Sequence, residues 1–216
     1  MKGEILKLLK ESDGYLSGQE LCERFGVSRT AVWKVINQLK EEGYEIEAVR
    51  NKGYILKSVS DVLSKEELES SLKTRWAGKE ILYFDRTDST NIQARLAGEA
   101  GASHGTLAVA EIQDGGRGRR GRSWVSPAGV GIWMSLLLRP EISPISASTL
   151  TLVMALAAQK GIKEATGIES QIKWPNDLVL NKKKICGILT EMGTEFMEIK
   201  YVVMGTGINV NQEGFP

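Results

Sequence analysis

The chain has 216 residues, and its 28 Lys+Arg against 27 Asp+Glu leave a formal net charge of +1, too small to draw the whole molecule onto nucleic acid or a membrane surface. With 42% hydrophobic and 25% charged residues, the composition excludes a disordered or collagen-like chain. Cys22 and Cys186 lie far apart and outside any CxxC pattern, which excludes a disulfide framework or zinc knuckle and fits a reducing compartment.

Residues 1–10 carry Lys2, Glu4, Lys7 and Lys10 among their apolar positions, so they do not form a secretory signal and a cytoplasmic location is expected. Ile5, Leu8 and Leu9 mark a first helix. Ser17 with Glu20 reads as a capping box for a second, which Gly26 closes. Ser28 caps a third helix whose Val32, Val35, Ile36 and Leu39 share one face until Gly43. Residues 44–56 then read as a hairpin with the basic tip Arg50-Asn51-Lys52-Gly53.

Three helices and a hairpin predict a winged helix-turn-helix over residues 1–60. A charged helix is usually just a solvated face, but no acid stands between Ser28 and Lys40. Arg29, Lys34, Arg50 and Lys52 are therefore candidates for DNA phosphates, and Ser28, Thr30, Asn37 and Gln38 for base edges. Residues 1–60 hold ten Lys+Arg and nine Asp+Glu, so a second copy is expected to be needed for affinity.

Residues 61–79 read as a connecting helix and linker. From residue 80 onward short apolar strands alternate with glycine-rich turns, with helices at 91–100 and 146–166, which predicts an α+β domain over residues 80–216. The uncharged run 142–159 is too polar and short for a membrane span; its second half is expected to be a buried helix.

Seven of the 23 glycines fall between Gly105 and Gly131, and the densest signal lies among them. Gly116-Arg117-Gly118-Arg119-Arg120-Gly121-Arg122 puts four arginines into six residues, which repel one another unless an anion sits among them. The G-x-G-x-x-G spacing is present, but the next residues, Ser123-Trp124-Val125-Ser126-Pro127, do not open a helix, so a dinucleotide fold is excluded. Lys173-Trp174-Pro175-Asn176-Asp177 offers Lys173 to a phosphate, Asn176 to an adenine or sugar and Asp177 to Mg²⁺, although it also reads as a plain turn. Lys184 precedes an apolar strand. Gly205 and Gly207 mark a place where backbone approaches a flat ligand. In Asp88-Ser89-Thr90-Asn91, Ser89 or Thr90 is expected to cap a helix.

Taken in order, Ser89-Thr90-Asn91, Gln113 with the arginine–glycine loop, Lys173 to Asp177, Lys184 to Gly187 and Gly205 to Asn209 resemble the motifs of biotin–protein ligases. With a helix-turn-helix in front, the chain is similar to the bifunctional ligase–repressor form. Lipoate ligases look similar in fold but lack the loop. The resemblance implies a class II synthetase-like mixed-sheet catalytic domain and a two-step reaction. Biotin and ATP give biotinyl-5′-adenylate, with Mg²⁺, and a lysine of a biotin carboxyl carrier protein takes the biotin. It implies that Ser89, Thr90, Asn91, Gln113, Arg117, Gly118, Arg119 and Lys184 hold biotin, and that Arg117, Arg119, Arg120 and Lys184 act in catalysis. Trp124, Lys173, Asn176, Asp177, Gly205, Gly207 and Asn209 would hold the ATP or adenylate. It further implies a ligand-dependent homodimer on operator DNA, and a catalytic domain truncated at its C-terminal side, since such proteins continue into a small β-barrel. A biotin-sensing repressor without catalysis is the alternative.

Overall fold

The computed structural model describes residues 1–58 and 63–214, which divide into two compact units, Met1–Lys73 and Thr74–Pro216. In the first, helices α1 (Lys2–Glu11), α2 (Gly18–Phe25) and α3 (Arg29–Glu41) precede the antiparallel pair β1 (Glu45–Val49) and β2 (Gly53–Ser58). Ile5, Leu6, Leu9, Leu21, Val32, Val35, Ile36 and Leu39, the apolar stripes of three amphipathic helices, close on one core with Tyr44 and Ile46. Ser28 caps α3 by accepting from Ala31 N at 3.2 Å, and Gly26 ends α2 in the left-handed region. Ser17 accepts from Gln19 N rather than completing a box with Glu20.

The connecting segment holds the expected helix, which packs within the first unit. Helix α4 (Lys65–Ser71) packs on α1, with Lys2 bridging Glu66 and Glu42, and Lys10 paired with Glu67. Tyr44 Oη donates to Glu67 at 3.0 Å, and burial pushes its hydroxyl up to about 12. Ion pairs and a buried tyrosine are not visible as sequence periodicity. The expected helix start at residues 61–62 lies outside the described residues.

The second unit is built on a seven-stranded sheet in the order β3 (Ile81–Thr87), β4 (Leu107–Gln113), β5 (Gly131–Leu138), β9 (Glu198–Asn209), β8 (Lys183–Glu195), β7 (Asp177–Leu180), β6 (Gln171–Lys173). Only β3 and β4 are parallel, because α5 (Thr90–Glu99) carries the chain back between them. Strand alternation sorts β9 between two helices. Tyr201 and Val203 pack with Leu137 and Ala94 of α5, whereas Val202 and Met204 pack with Leu138 and, from α6 (Thr149–Thr166), Leu150 and Met154.

α6 is a correction to the expected buried helix. With the 3-10 turn before it, it spans 23 residues and holds an 18-residue stretch of mean hydropathy 1.3, long and apolar enough by composition alone to cross a membrane. Met154, Ala155, Ala158 and Ile162 pack on the sheet, but Val153 and Leu156 remain more than half exposed. An apolar run does not by itself say how many of its faces are covered.

Candidate active site

The site lies on the α5 face of the sheet, where the strand ends meet the N-terminus of α5. One cleft is lined by Ser89, Thr90, Asn91, Gln113, Arg117, Gly118, Arg119, Trp124, Asn176, Lys184, Gly205 and Gly207, joined by Met134, Gly187, Ile188, Leu189 and Thr206.

Its base is a hydrogen-bonded network. Gln113 Oε1 accepts from Thr90 N at 2.8 Å and from Thr90 Oγ1 at 3.1 Å, while Gln113 Nε2 donates to Ser126 Oγ at 2.8 Å. Asn91 Nδ2 donates to Glu191 Oε2 at 2.7 Å. Ser135, fully buried on β5, has its hydroxyl 2.6 Å from Asn91 Oδ1 and 2.8 Å from Thr90 Oγ1, and donates to one at a time. Thr90, Asn91 and Gln113 thus hold one another before they hold any ligand. Sequence reasoning missed Ser135 and Ser126. The signal for the first was present: a single hydroxyl inside the apolar strand Ile132-Trp133-Met134-Ser135-Leu136.

The expected cap is also corrected. Neither Ser89 nor Thr90 caps α5 with its side chain. Asp88 does the work from one residue earlier, its Oδ1 accepting from Ser89 N at 2.6 Å and Gln93 Nε2 at 3.1 Å. Burial raises the Asp88 carboxyl, but these bonds and one from Thr87 outweigh it and hold it below its ordinary value. The Ser89 hydroxyl borders the cleft with no hydrogen-bond partner among the described residues.

Two glycines set the floor. A Cβ at Gly205 would overlap Asn91 Oδ1, and one at Gly207 would lie 2.5 Å from Trp124 Nε1. The indole therefore rests flat on β9 only because that position has no side chain. Trp124 Nε1 is buried without a partner among the described residues. Lys184 Nζ stands 5.1 Å over the Trp124 ring and 2.7 Å from Asp177 Oδ1.

The arginine–glycine loop folds as a small hairpin, with Gly118 N donating to Arg122 O at 2.7 Å and a bridge between Arg117 and Ser123. Arg119 Nη1 donates to Asn176 Oδ1 at 3.1 Å, and Asn176 Nδ2 to Ile188 O at 3.0 Å, so Asn176 is a strut for Arg119. No carboxylate pairs with Arg117, Arg119, Arg120 or Arg122 among the described residues. Four cations without a countercharge on one short loop can hold an anion.

Not every expected residue reaches this cleft. Arg120 borders the adjoining cleft with Arg122, Trp174, Asn176 and Asp177. Lys173 is exposed on edge strand β6 and borders neither. Asn209 Nδ2 is 3.5 Å from Lys184 O, at the limit of a hydrogen bond. Asp177 is the counter-ion of Lys184 rather than an open metal ligand. A dication there would have to compete with the ammonium already on that carboxylate.

Comparison with known proteins gives the family. A model of the biotin/lipoate A/B protein ligase family matches residues 83–209, more than half the chain. The chain belongs to this family. An HTH domain model matches residues 3–55 of the same ligase-family chain. The bifunctional ligase/repressor BirA of Bacillus subtilis (strain 168) is 45% identical over 99% of this chain and 66% of its own length. That of Escherichia coli (strain K12) is 33% identical over 96% of this chain and 63% of its own. This family member thus spans slightly less than two thirds of the length of those relatives. A solved biotin protein ligase from Aquifex aeolicus in complex with biotin and ATP has a TM-score of 0.53 at 34% identity, covering 64% of this chain and 55% of that one. The Leishmania major ligase in complex with biotinyl-5-AMP also has a TM-score of 0.53, at 25% identity over 64% of this chain and 60% of its own. Both support the mixed α+β ligase fold, and the HTH domain match supports the helix-turn-helix unit in front of it.

Proposed function

We propose that this protein is an ATP-dependent biotin–protein ligase that forms biotinyl-5′-adenylate, passes biotin to a lysine of a carboxyl carrier protein, and represses transcription when it holds the adenylate. The observation that carries the reading is the set of arginines without carboxylate partners among the described residues, beside a cleft with a hydrogen-bonded floor. An adenylate-forming step gathers charge on the α-phosphate as the biotin carboxylate attacks it, and preorganised cations contribute most where charge develops. Arg117, Arg119 and Lys184 would hold the carboxylate and phosphate oxygens; Arg120 and Arg122, on the adjoining cleft, would hold the leaving pyrophosphate. The free Ser89 hydroxyl, supported by the Thr90–Gln113–Ser126 network, suits the donors and acceptors of a ureido ring. Trp124 on its glycine floor would face the flat base, and the loop over it would keep water from the mixed anhydride.

The DNA-binding half rests on the helix-turn-helix fold and its exposed basic face, with a cytoplasmic location and ligand-dependent pairing of two copies on a palindromic operator. Biotin-dependent exchange of label between pyrophosphate and ATP tests the catalytic half. The reading expects exchange that stops when biotin is omitted; no exchange with biotin and ATP both present would leave a biotin-sensing repressor in its place.

A further inference from the structure

We infer that Trp33 is the base-reading side chain of α3 and that it recognises the 5-methyl group of thymine, an inference that rests on the DNA-binding half of the proposed function. α3 buries Val32, Val35, Ile36 and Leu39. Its outer face carries Arg29, Thr30, Lys34 and Gln38, all exposed, with Asn37 partly so. In the middle of this polar stripe Trp33 is 55% exposed. Its indole has no aromatic neighbour, no cation over it and no hydrogen-bond partner among the described residues.

A large apolar ring left in water on this one face calls for a partner that is both anionic overall and apolar at one point. Lys34, Lys40 and Arg29 on the helix, with Arg50 and Lys52 at the wing, supply charge complementary to a phosphate backbone. The major groove supplies the apolar point, since of the four bases only thymine projects a methyl group there. Thr30 and Asn37 lie three residues before and four after Trp33, so they share its stripe and can meet neighbouring base edges. Trp33 falls in the second turn of α3, within the N-terminal part that a recognition helix presents to bases.

The test uses the full chain with biotin and ATP present. Binding sites are first selected from a random-sequence duplex library. Each thymine of the selected site is then replaced in turn by deoxyuracil, which removes the methyl and leaves every hydrogen-bonding group in place. One or two of these replacements are expected to weaken the wild-type chain about fourfold each, the worth of one buried CH₂-sized group. Trp33→Ala is expected to bind the parent site more weakly, to show no further loss with the same replacements, and to keep the wild-type salt dependence because no charge has changed. Trp33→Phe should retain part of the methyl sensitivity. Equal methyl penalties in wild type and Trp33→Ala, or none in wild type, overturn the inference while leaving DNA binding standing. A wild-type chain that selects no DNA overturns both.

Discussion

Lys184 answers two opposite demands. Its ammonium is balanced by Asp177 Oδ1 at 2.7 Å and by the face of the Trp124 ring, so a cation is held in place beside its countercharge. An incoming carboxylate or phosphate then meets a charge already positioned, which lowers the reorganisation that binding and reaction require. Replacing Lys184 by Met keeps the stem and removes the charge. Biotin-dependent ATP–pyrophosphate exchange is expected to fall about 100-fold, the scale of losing one preorganised donor, with the thermal transition nearly unchanged because the side chain is 42% exposed. Exchange at the wild-type rate would remove Lys184 from the reaction. This lysine was legible in the sequence from its place before an apolar strand. Its partner was not: Asp177 looked like a metal ligand because residue type alone does not tell which cation reaches a carboxylate first.

Among the elements, α5 shows what sequence pattern conveys and where it stops. The hydroxyl and amide residues at its start were recognisable as a helix N-terminus, yet the capping group is Asp88, which frees Ser89 for the cleft. At its other end Arg139 does something no local pattern predicts. From the far end of β5 its guanidinium donates to Gly98 O at 2.8 Å, Ala102 O at 2.9 Å and Lys200 O at 2.9 Å, pinning the last turn of α5, the following loop and the start of β9 together. Arg139→Met leaves three carbonyls without their charged donor. The expected cost is about 2–3 kcal/mol of unfolding free energy, in line with charged hydrogen bonds to partly buried groups, read as a lower denaturant midpoint with unchanged slope. A change within about 0.5 kcal/mol would place Arg139 among ordinary surface residues. The strands were legible as short apolar runs between glycine-rich turns. Their order was not, since β9 lies between β5 and β8 through pairings more than 60 residues apart along the chain for β5.

For the molecule as a whole, the near-zero net charge conceals a sorting of charges. Lys2, Lys10 and Lys57 of the first unit and Arg86, Lys160, Lys163, Lys184 and Lys200 of the second are each paired with a carboxylate. By contrast, Arg29, Lys34, Lys40, Arg50 and Lys52 have no such partner among the described residues, and neither do the four arginines of the loop. Acids therefore balance the total without neutralising the two surfaces proposed to meet phosphates. This has a measurable consequence for DNA. If those five side chains each displace a condensed counterion, the logarithm of the affinity should fall against the logarithm of salt with a slope of about −4 to −5 per bound copy. Lys34→Gln should make the slope shallower by about 0.9 and weaken all sequences alike, since a phosphate contact carries no base information. Fluorescence anisotropy on a labelled duplex between about 50 and 200 mM salt spans the range in which such slopes are resolved. A slope near zero, or one that Lys34→Gln leaves untouched, would show that the unpaired charges of α3 and the wing do not face the nucleic acid.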